Sequence, residues 1–538
     1  MMKAMLRLSL AATLVAVAAP IQSSASARAG SSELQRDRAV AGYAGEGGQE
    51  LGTITFPTSG APAAQAAFLE GVKNLHSFQF DEAAVAFQRA QKIDPGFAMA
   101  YWGEAMSHNH PLWAQQDADA AKKILEKIAP TLDDRVARVK TPKEKAFLRA
   151  IDVLYYAPGD KLARDHAYSN ALAAMYTQWP EDHEVATWYA LSLLGTVRPA
   201  DRGFRRQALA ASIVEKVYRE NPKHPGAAHF IIHAFDDPDH APLALPAARA
   251  YAGIAPSAAH ALHMPSHIFV QRGMWEDVRA SNIVAYKAAA DLNARMKLAE
   301  GREDFHTLGW LTYANLMLGN ITEARQNVAW AKQAADRNAA NRGVRDGYLG
   351  MRARVILETG QWEKIALEPA APAAADPAHA DMPGMAMPGY SGSNTWAFIA
   401  GYSAAKLGDF ATADQAEMIL RQAREKAEAG PNANPLSGKS VAIMEKQIAA
   451  LSKFGRGQRD EALRLAKEAM EIELTLGAPS GPPDPIKPAP EFYGEMLIEA
   501  GRNTEAIAAL ELSLQRTPNR VPSVKAMARA RATGTAMQ

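Results

Sequence analysis

The sequence predicts an all-α fold, an α-solenoid in which antiparallel helix pairs stack into a superhelix. After residue 60, Ala, Leu, Glu, Gln, Arg and Lys dominate, and apolar residues recur at intervals of three and four, which is the period of an amphipathic helix. A series of alternating β-branched runs is missing from the sequence, so an extensive sheet is not expected. A turn motif also recurs along the chain, which is typical of a repeat protein.

The first 27 residues have the pattern of a secretory signal peptide. Lys3 and Arg7 precede an apolar stretch from Leu8 to Ala19, and small residues stand at 25–27, where a signal peptidase reads. The stretch is shorter than the roughly 20 residues that span a bilayer, which favours cleavage over an uncleaved anchor. We therefore expect a periplasmic or secreted protein with a flexible leader at residues 28–60 and no stable membrane insertion.

The composition bounds the class of protein. The 538 residues include 59 Lys and Arg against 58 Asp and Glu, so the formal charge of +1 argues against nucleic acid as a partner. Apolar residues make up 48% and charged residues 22% of the chain, which is typical of a folded protein. The chain has no Cys, and this excludes disulfides, thiolate metal sites and a Cys nucleophile.

Two segments carry the clearest repeats. In the first, Gly71 allows close helix crossing, Asp81 and Glu82 begin the second helix, Phe87 lies on its inward stripe and Pro95 ends it. Near the C-terminus the same pattern returns between Gly494 and Pro518. Both segments resemble tetratricopeptide (TPR) repeats.

Between them, glycines at inter-helix turns mark weaker repeats, with the turn after residue 360 the least regular. The turn glycines are at positions 273, 319, 360, 408, 457 and 501, so successive ones lie 41 to 49 residues apart. This exceeds the TPR period of about 34, so the helices or their connections must be longer. We interpret residues 61–245 as N-terminal helical repeats and residues 246–538 as C-terminal TPR-like repeats of one solenoid.

Residues 367–394 interrupt the second set with an Ala- and Pro-rich insert that cannot be a helix interior. The insert contains Met382, Met385 and Met387 beside His379. Thioether sulfur favours Cu(I), so an accessory copper loop is one interpretation, and simple composition is the other.

Histidines are concentrated in two short stretches. His229 and His233 are four residues apart, and His263 and His267 repeat that spacing after His260, so each pair lies on one helix face. Pro265 is expected to kink or begin a helix there. Neutral imidazoles on helices bind Zn²⁺ or Cu²⁺, which makes these four residues candidate metal ligands. A His-lined groove for an organic or peptide ligand, and ordinary packing histidines, are the alternatives.

Other polar and aromatic residues mark a candidate ligand-binding groove. They are Trp102, Glu104, His108, His110 and His306. Together with the segments 229–233 and 263–268, the stretch 100–105 resembles a family of bacterial secreted TPR-like proteins, and this resemblance implies no activity.

Two functions therefore remain open. The first is an exported scaffold that holds a protein, peptide or small molecule in a concave groove. The second is a copper- or zinc-binding protein, with or without catalysis. Hydrolase, P-loop and dinucleotide motifs are missing from the sequence, so no reaction is predicted.

Overall fold

The computed structural model describes residues 49–198, 201, 203–297, 302, 304–338, 341–367, 392–429 and 434–535. This part of the chain is an all-α, TPR-like solenoid, as the sequence predicts. Its one sheet, within these residues, is a two-residue antiparallel pairing of β1 (Asn109–His110) with β2 (Gln115–Gln116). The signal peptide and the three methionines of the insert lie outside the described residues.

The helices form pairs joined by short connections. Those of the first part are α1 Pro62–His76, α2 Phe80–Ile93, α3 Ala98–Met106, α4 Ala118–Glu126, α5 Leu132–Ala137, α6 Pro142–Tyr156, α7 Lys161–Gln178, α8 His183–Gly195, α9 Arg205–Glu220, α10 Pro225–Ala234, α11 Ala241–Ile254, α12 Ala259–His263 and α13 Pro265–Gln271. Those that follow are α14 Trp275–Met296, α15 Phe305–Leu318, α16 Ile321–Arg337, α17 Arg342–Thr359, α18 Gly392–Lys406, α19 Phe410–Glu428, α20 Pro435–Gly455, α21 Arg459–Leu474, α22 Ala489–Glu499, α23 Asn503–Arg516 and α24 Val521–Thr535.

The glycine turns are confirmed. All six turn glycines have positive φ, from 61° at Gly273 to 82° at Gly457, a backbone region that glycine enters without steric conflict. Five of them join two helices, whereas Gly360 is followed by the non-helical residues 361–367. The close helix crossing is also confirmed, because a Cβ at Gly71 would lie only 2.7 Å from the ring of Phe87.

The buried residues form two main clusters that overlap near α17. One runs from Leu51 to Val355 and the other from Leu349 to Ala530. The sequence-based division at residues 245 and 246 therefore falls inside a continuous core, because α11 packs against both α10 and α13.

The predicted leader also ends earlier than residue 60. Leu51 and Phe56 are buried, the Thr53 amide donates to the Lys223 carbonyl at 2.9 Å, and the Ser59 amide donates to Glu144 at 2.7 Å. Phe56 packs against the rings of Phe68, Trp102 and Phe147, so this segment is part of the fold and not a flexible leader.

The C-terminal region returns to the centre of the chain. Gln271 of α13 donates to the Pro479 carbonyl at 2.8 Å, and Trp275 of α14 donates to the Asn519 carbonyl at 3.1 Å. Gly481 lies against Trp310 of α15, where a Cβ would be 2.4 Å from the indole ring. The connection 475–488 thus packs on α13 and α15, the helices that carry the candidate site.

A buried ion network, the Arg520 network, fixes the same region. Arg520, just before α24, makes a two-pronged contact with Glu491 at 2.8 and 3.0 Å and contacts Glu358 at 2.8 Å. Lys487 contacts Glu491 at 2.8 Å, and Arg520 donates to the Tyr313 hydroxyl at 3.1 Å. These residues join α15, α17, α22 and α24.

Among the described residues, no helix has both the length and the apolar character needed to cross a bilayer.

Candidate metal centre

Three histidines converge from α10 and α12, and we name them triad one: His229, His233 and His260. The Nε2 atom of His229 lies 3.0 Å from Nε2 of His233 and 3.2 Å from Nε2 of His260. Ligand nitrogens around a tetrahedral ion at 2.0–2.1 Å are about 3.3–3.4 Å apart. Triad one therefore already has nearly the nitrogen spacing of a metal site.

Three further histidines converge from α12, α13 and α15, and we name them triad two: His263, His267 and His306. The Nε2 atom of His263 lies 3.2 Å from Nε2 of His267 and 3.0 Å from Nε2 of His306. In each triad, one ligand nitrogen from every ring falls within 4.8 Å of the others. The four predicted ligands are thus divided between two sites, each completed by one more histidine.

Local sequence explains how the helices present these rings. Pro225 begins α10, and the His224 side chain caps it by accepting from the Ala227 amide. The helical turn of α12 ends at His263, and α13 begins at Pro265, as the sequence predicts. Met264 keeps helical angles, φ −54° and ψ −34°, so His263 and His267 still face the same way across the break.

Hydrogen bonds at Nδ1 fix the tautomers of three rings. His229 donates from Nδ1 to the His76 carbonyl at 2.6 Å, and His267 donates from Nδ1 to Asp236 at 2.7 Å. His263 donates from Nδ1 to the Asn282 side-chain oxygen at 2.7 Å, since the Asn282 amide nitrogen is engaged with the Val278 carbonyl. These acceptors cannot donate, so in the neutral form of each ring Nε2 is the atom with the lone pair. Such contacts are typical of metal-ligating histidines.

The Nε2 atoms of His263 and His267 face each other. Each ring already makes a hydrogen bond through Nδ1, and the two Nε2 atoms are only 3.2 Å apart. Two nitrogens at this distance repel unless a proton or a metal ion lies between them. The contact has the geometry that a shared metal ion would stabilise.

Burial keeps the rings uncharged. It lowers the pKa of His229 to about 3, and burial next to His267 lowers the pKa of His306 to about 3. Burial, aided by neighbouring imidazoles, also holds the pKa values of His233, His260 and His263 well below the usual range. At neutral pH these five rings are therefore neutral, and neutral imidazole is the form that binds metals.

Each triad has a buried base and a partly exposed opening. His229 and His263 are buried, whereas the other four rings are partly exposed, with the His267 side chain 12% exposed. The ring centroid of Phe78 lies 4.4 Å from that of His229, and the ring centroid of Trp310 lies 4.5 Å from that of His267. An ion at either triad would have three protein ligands and an accessible remaining position, which is the arrangement of catalytic sites.

A third cluster has the composition of a metal site but a different chemistry. His76 and His224 contact the two oxygens of Glu184 at 2.9 and 3.2 Å, and all three side chains are buried. His224 accepts from the Ala227 amide at Nδ1, so its proton is at Nε2 and points to the carboxylate. Here the imidazole N–H groups donate to the Glu184 carboxylate. The cluster thereby positions His76, whose backbone carbonyl accepts from His229 Nδ1.

Two predicted groove residues belong to the core. Trp102 is fully buried, with ring centroids 5.3 Å from Phe147 and 5.4 Å from Trp188. Glu104 is buried and accepts from Gln88 and Gln91 at 2.9 and 2.6 Å. Their helix, α3, packs against α1, α2 and α6, which leaves no groove face for them. The prediction that Trp102 and Glu104 line a ligand-binding groove is therefore corrected: both side chains belong to the packed interior.

The remaining groove residues lie in different places. His306 is a member of triad two. His110 is partly buried beside Phe80, with ring centroids 4.1 Å apart, and contacts the Ser107 carbonyl through Nε2 at 3.1 Å. The His108 carbonyl accepts from the Asp117 amide at 3.0 Å, at the base of the β1–β2 hairpin. His108 and His110 belong to neither triad.

Sequence reasoning missed several members of the centre. His260 stands three residues before His263 and shares its helix face, and this spacing could have identified it. Asp236 and Asn282 gave no such signal, because their contacts with the rings span 31 and 19 residues. Phe78 was missed as well; its φ of 52° is rare for a residue with a side chain.

Comparisons with known proteins describe the fold alone. No protein-family model matches the sequence, and no curated protein matches it. The chain is similar to the P58(IPK) TPR domain at 12% identity and a TM-score of 0.23, covering 88% of this chain and 99% of that one. It is similar to yeast Tom70 at 10% identity and a TM-score of 0.29, covering 88% of this chain and 89% of that one. It is similar to a human IFIT1 dimer with m7Gppp-AAAA at 10% identity and a TM-score of 0.32, covering 94% of each chain.

Proposed function

We propose that this chain is an exported TPR-like metalloprotein that holds two transition-metal ions, copper or zinc, one in each histidine triad. The facing Nε2 atoms of His263 and His267, 3.2 Å apart and each in a ring already hydrogen-bonded through Nδ1, carry the proposal. Two nitrogens held in this way must share a proton or a metal ion, and the third imidazole of the triad supports the metal ion. The TPR-like helices supply the rigid frame that keeps the rings together.

The donor set supports copper or zinc over other metals. Both triads offer only imidazole nitrogens within the described residues, and imidazole suits zinc, copper, iron and nickel, whereas magnesium, calcium and manganese favour oxygen ligands. Asp236 is bonded to His267 Nδ1, so it orients a ligand instead of supplying one.

The scaffold hypothesis is retained in a narrower form. The partner of this narrower hypothesis is a small-molecule ligand on the metal, and the partly exposed rings of each triad support it. The Met-rich loop stays a proposal for copper delivery, and its residues are outside the described part of the chain.

Metal analysis tests the proposal. The untagged chain is stripped with a chelator, loaded with Zn²⁺ or Cu²⁺, desalted and analysed for metal content. We expect two ions per chain and, by X-ray absorption, nitrogen ligands at about 2.0–2.1 Å. His183→Ala is a matched control, because His183 lies on α8, partly exposed, and contacts Glu220 instead of either triad. A chain that retains no metal and shows no rise in melting temperature with either ion contradicts the proposal.

Export is tested separately. We propose that residues 1–27 direct secretion, as the basic start, short apolar stretch and small residues at 25–27 suggest. Mass spectrometry of the protein from its native host is expected to find a mature N-terminus near residue 28, and an intact Met1 in the cell interior contradicts export.

A further inference from the structure

The two triads are neighbours, and one short helix joins them. His260 and His263 are three residues apart on α12, and each gives its Nε2 to a different triad. The ring centroids of His233 and His267 are 6.1 Å apart, and those of His260 and His263 are 6.3 Å apart. The two sets of ligands are therefore adjacent, as two-metal sites with ions about 3.5–4 Å apart require.

Among the described residues, neither triad offers a group that could bridge the ions. Six imidazoles surround the pair, and neither set includes a carboxylate that could span it. Two divalent ions bring four positive charges into a partly buried site whose six ligands are imidazoles, so they must take anions from solution with them. Two Cu(I) ions bring half that charge, so this donor set favours the reduced copper pair.

The surroundings suit an apolar diatomic guest. Phe78 contacts all three rings of triad one, with centroids 4.4–5.6 Å away, and Trp310 contacts all three rings of triad two at 4.5–5.5 Å. Aromatic walls restrict water and contribute no acidic proton. A molecule that becomes an anion only on binding would enter this site more easily than a charged one.

We propose that the two triads form a single dinuclear copper centre that binds dioxygen between its ions. Each Cu(I) loses one electron and becomes Cu(II), dioxygen gains both electrons, and its O–O bond falls from double to single as it becomes a bridging peroxide. No proton is taken up in this step. Acid then adds two protons and releases one hydrogen peroxide. This inference rests on the proposed function, because both triads must hold metal.

Anaerobic copper loading followed by oxygen tests the inference. The stripped full-length chain receives two equivalents of Cu(I) without oxygen and is then mixed with aerated buffer. We expect one dioxygen consumed per chain, a new near-ultraviolet charge-transfer band, and one hydrogen peroxide released on acid quench. The oxidised copper should give no electron paramagnetic resonance signal, because the bridge couples the two unpaired electrons.

The outcomes separate this inference from the proposed function. Two bound coppers that stay reduced and consume no dioxygen, or that are oxidised to the full signal of isolated Cu(II) without releasing one peroxide per chain, overturn the dinuclear centre and leave the metal sites intact. A chain that binds no copper overturns both. His233→Ala removes one ligand of triad one, and we expect it to hold one copper firmly and release no peroxide.

His267→Ala gives the reciprocal test on triad two, so the result does not depend on one variant. Circular dichroism confirms that each variant is folded, and His183→Ala should react like the parent chain. Release of one peroxide per chain from either triad variant contradicts the requirement for both ions.

Discussion

The histidine centre and the Arg520 network are both built from side chains of four helical elements, but they differ in how donors meet acceptors. In the Arg520 network, one guanidinium contacts the carboxylates of Glu491 and Glu358, and a lysine adds a second positive charge. In the histidine centre, every described ligand is an imidazole, and the Nε2 atoms of His263 and His267 face each other. The network contains its own counterions, whereas the centre has the arrangement of a site that another cation completes.

This difference separates a structural cluster from a candidate site. Burial together with ion pairing is a common way to hold helices in register, and such groups need no further partner. The His76–Glu184–His224 cluster follows the same logic with imidazole protons. Residue composition does not distinguish the His76–Glu184–His224 cluster from the two triads, but the nitrogen that carries each ring proton does.

The largest effect is expected when the network loses its central charge. Arg520→Ala leaves Glu491 and Glu358 buried without their main counterion, and we expect unfolding free energy to fall by about 3–5 kcal/mol. Urea denaturation of the metal-free chain measures it. A change below about 1 kcal/mol would show that the network does not hold the C-terminal helices in place. Metal content per folded chain should stay unchanged.

Acid should weaken the same network. Burial alone would raise the pKa of Glu491, but the charges of Arg520 and Lys487 outweigh it and lower this pKa to about 2 from an ordinary value of 4.5. The folded chain therefore binds fewer protons than the unfolded chain between these values. The stabilisation is complete above about pH 4.5, is lost as the pH falls towards 2, and amounts to about 3 kcal/mol.

Denaturant unfolding of the metal-free chain between pH 5 and 2 measures this loss, with Glu491→Gln as the comparison. The parent chain should lose stability more steeply than the variant over this range. Equal slopes would contradict the contribution of Glu491.

Removing a triad ligand should affect the metal-loaded chain most. His267→Ala is expected to lower the melting temperature of the metal-loaded protein more than that of the metal-free protein, because only the loaded form loses a metal ligand. At a metal concentration of 100 times Kd, a bound ion adds about 2.7 kcal/mol, and the variant should lose this gain. Differential scanning calorimetry with and without Zn²⁺ measures both. An equal fall in both forms would identify His267 as a packing residue.

The smallest effect is expected from a residue that touches a ligand instead of the metal. Asp236→Asn keeps an acceptor for His267 Nδ1 but removes the negative charge behind the ring, and we expect metal affinity to fall about 10–100-fold. Asp237→Asn is the matched control, since Asp237 contacts the more exposed His240. Competition with a chromophoric chelator measures the affinities, and equal values for the two variants would contradict the role of Asp236.

Much of the fold follows from local sequence. The turn glycines were identifiable because positive φ favours glycine, and Gly71 because a close helix crossing leaves no room for a Cβ beside Phe87. His229 and His233 were identifiable because four residues make one helical turn. The pairing of His229 with His260 depends instead on how helices stack across 31 residues, and local spacing does not encode this.

The same limit explains the errors. Trp102 and Glu104 have the residue types of a binding groove, but the stacking of α3 against its neighbours places them inside. Residues 49–60 look like a leader because they contain Gly, Ser and Pro, and only the tertiary groove that receives Phe56 makes them part of the core.

The contact of Gly481 with Trp310 bears on the order of events during synthesis. A ribosome delivers His306, the last of the six rings, 175 residues before Gly481. Chains fold from the N-terminus as they emerge, so a nascent molecule can gather its imidazoles before the segment that packs over Trp310 exists. The surroundings of triad two are therefore completed last, by a segment that contributes none of its rings.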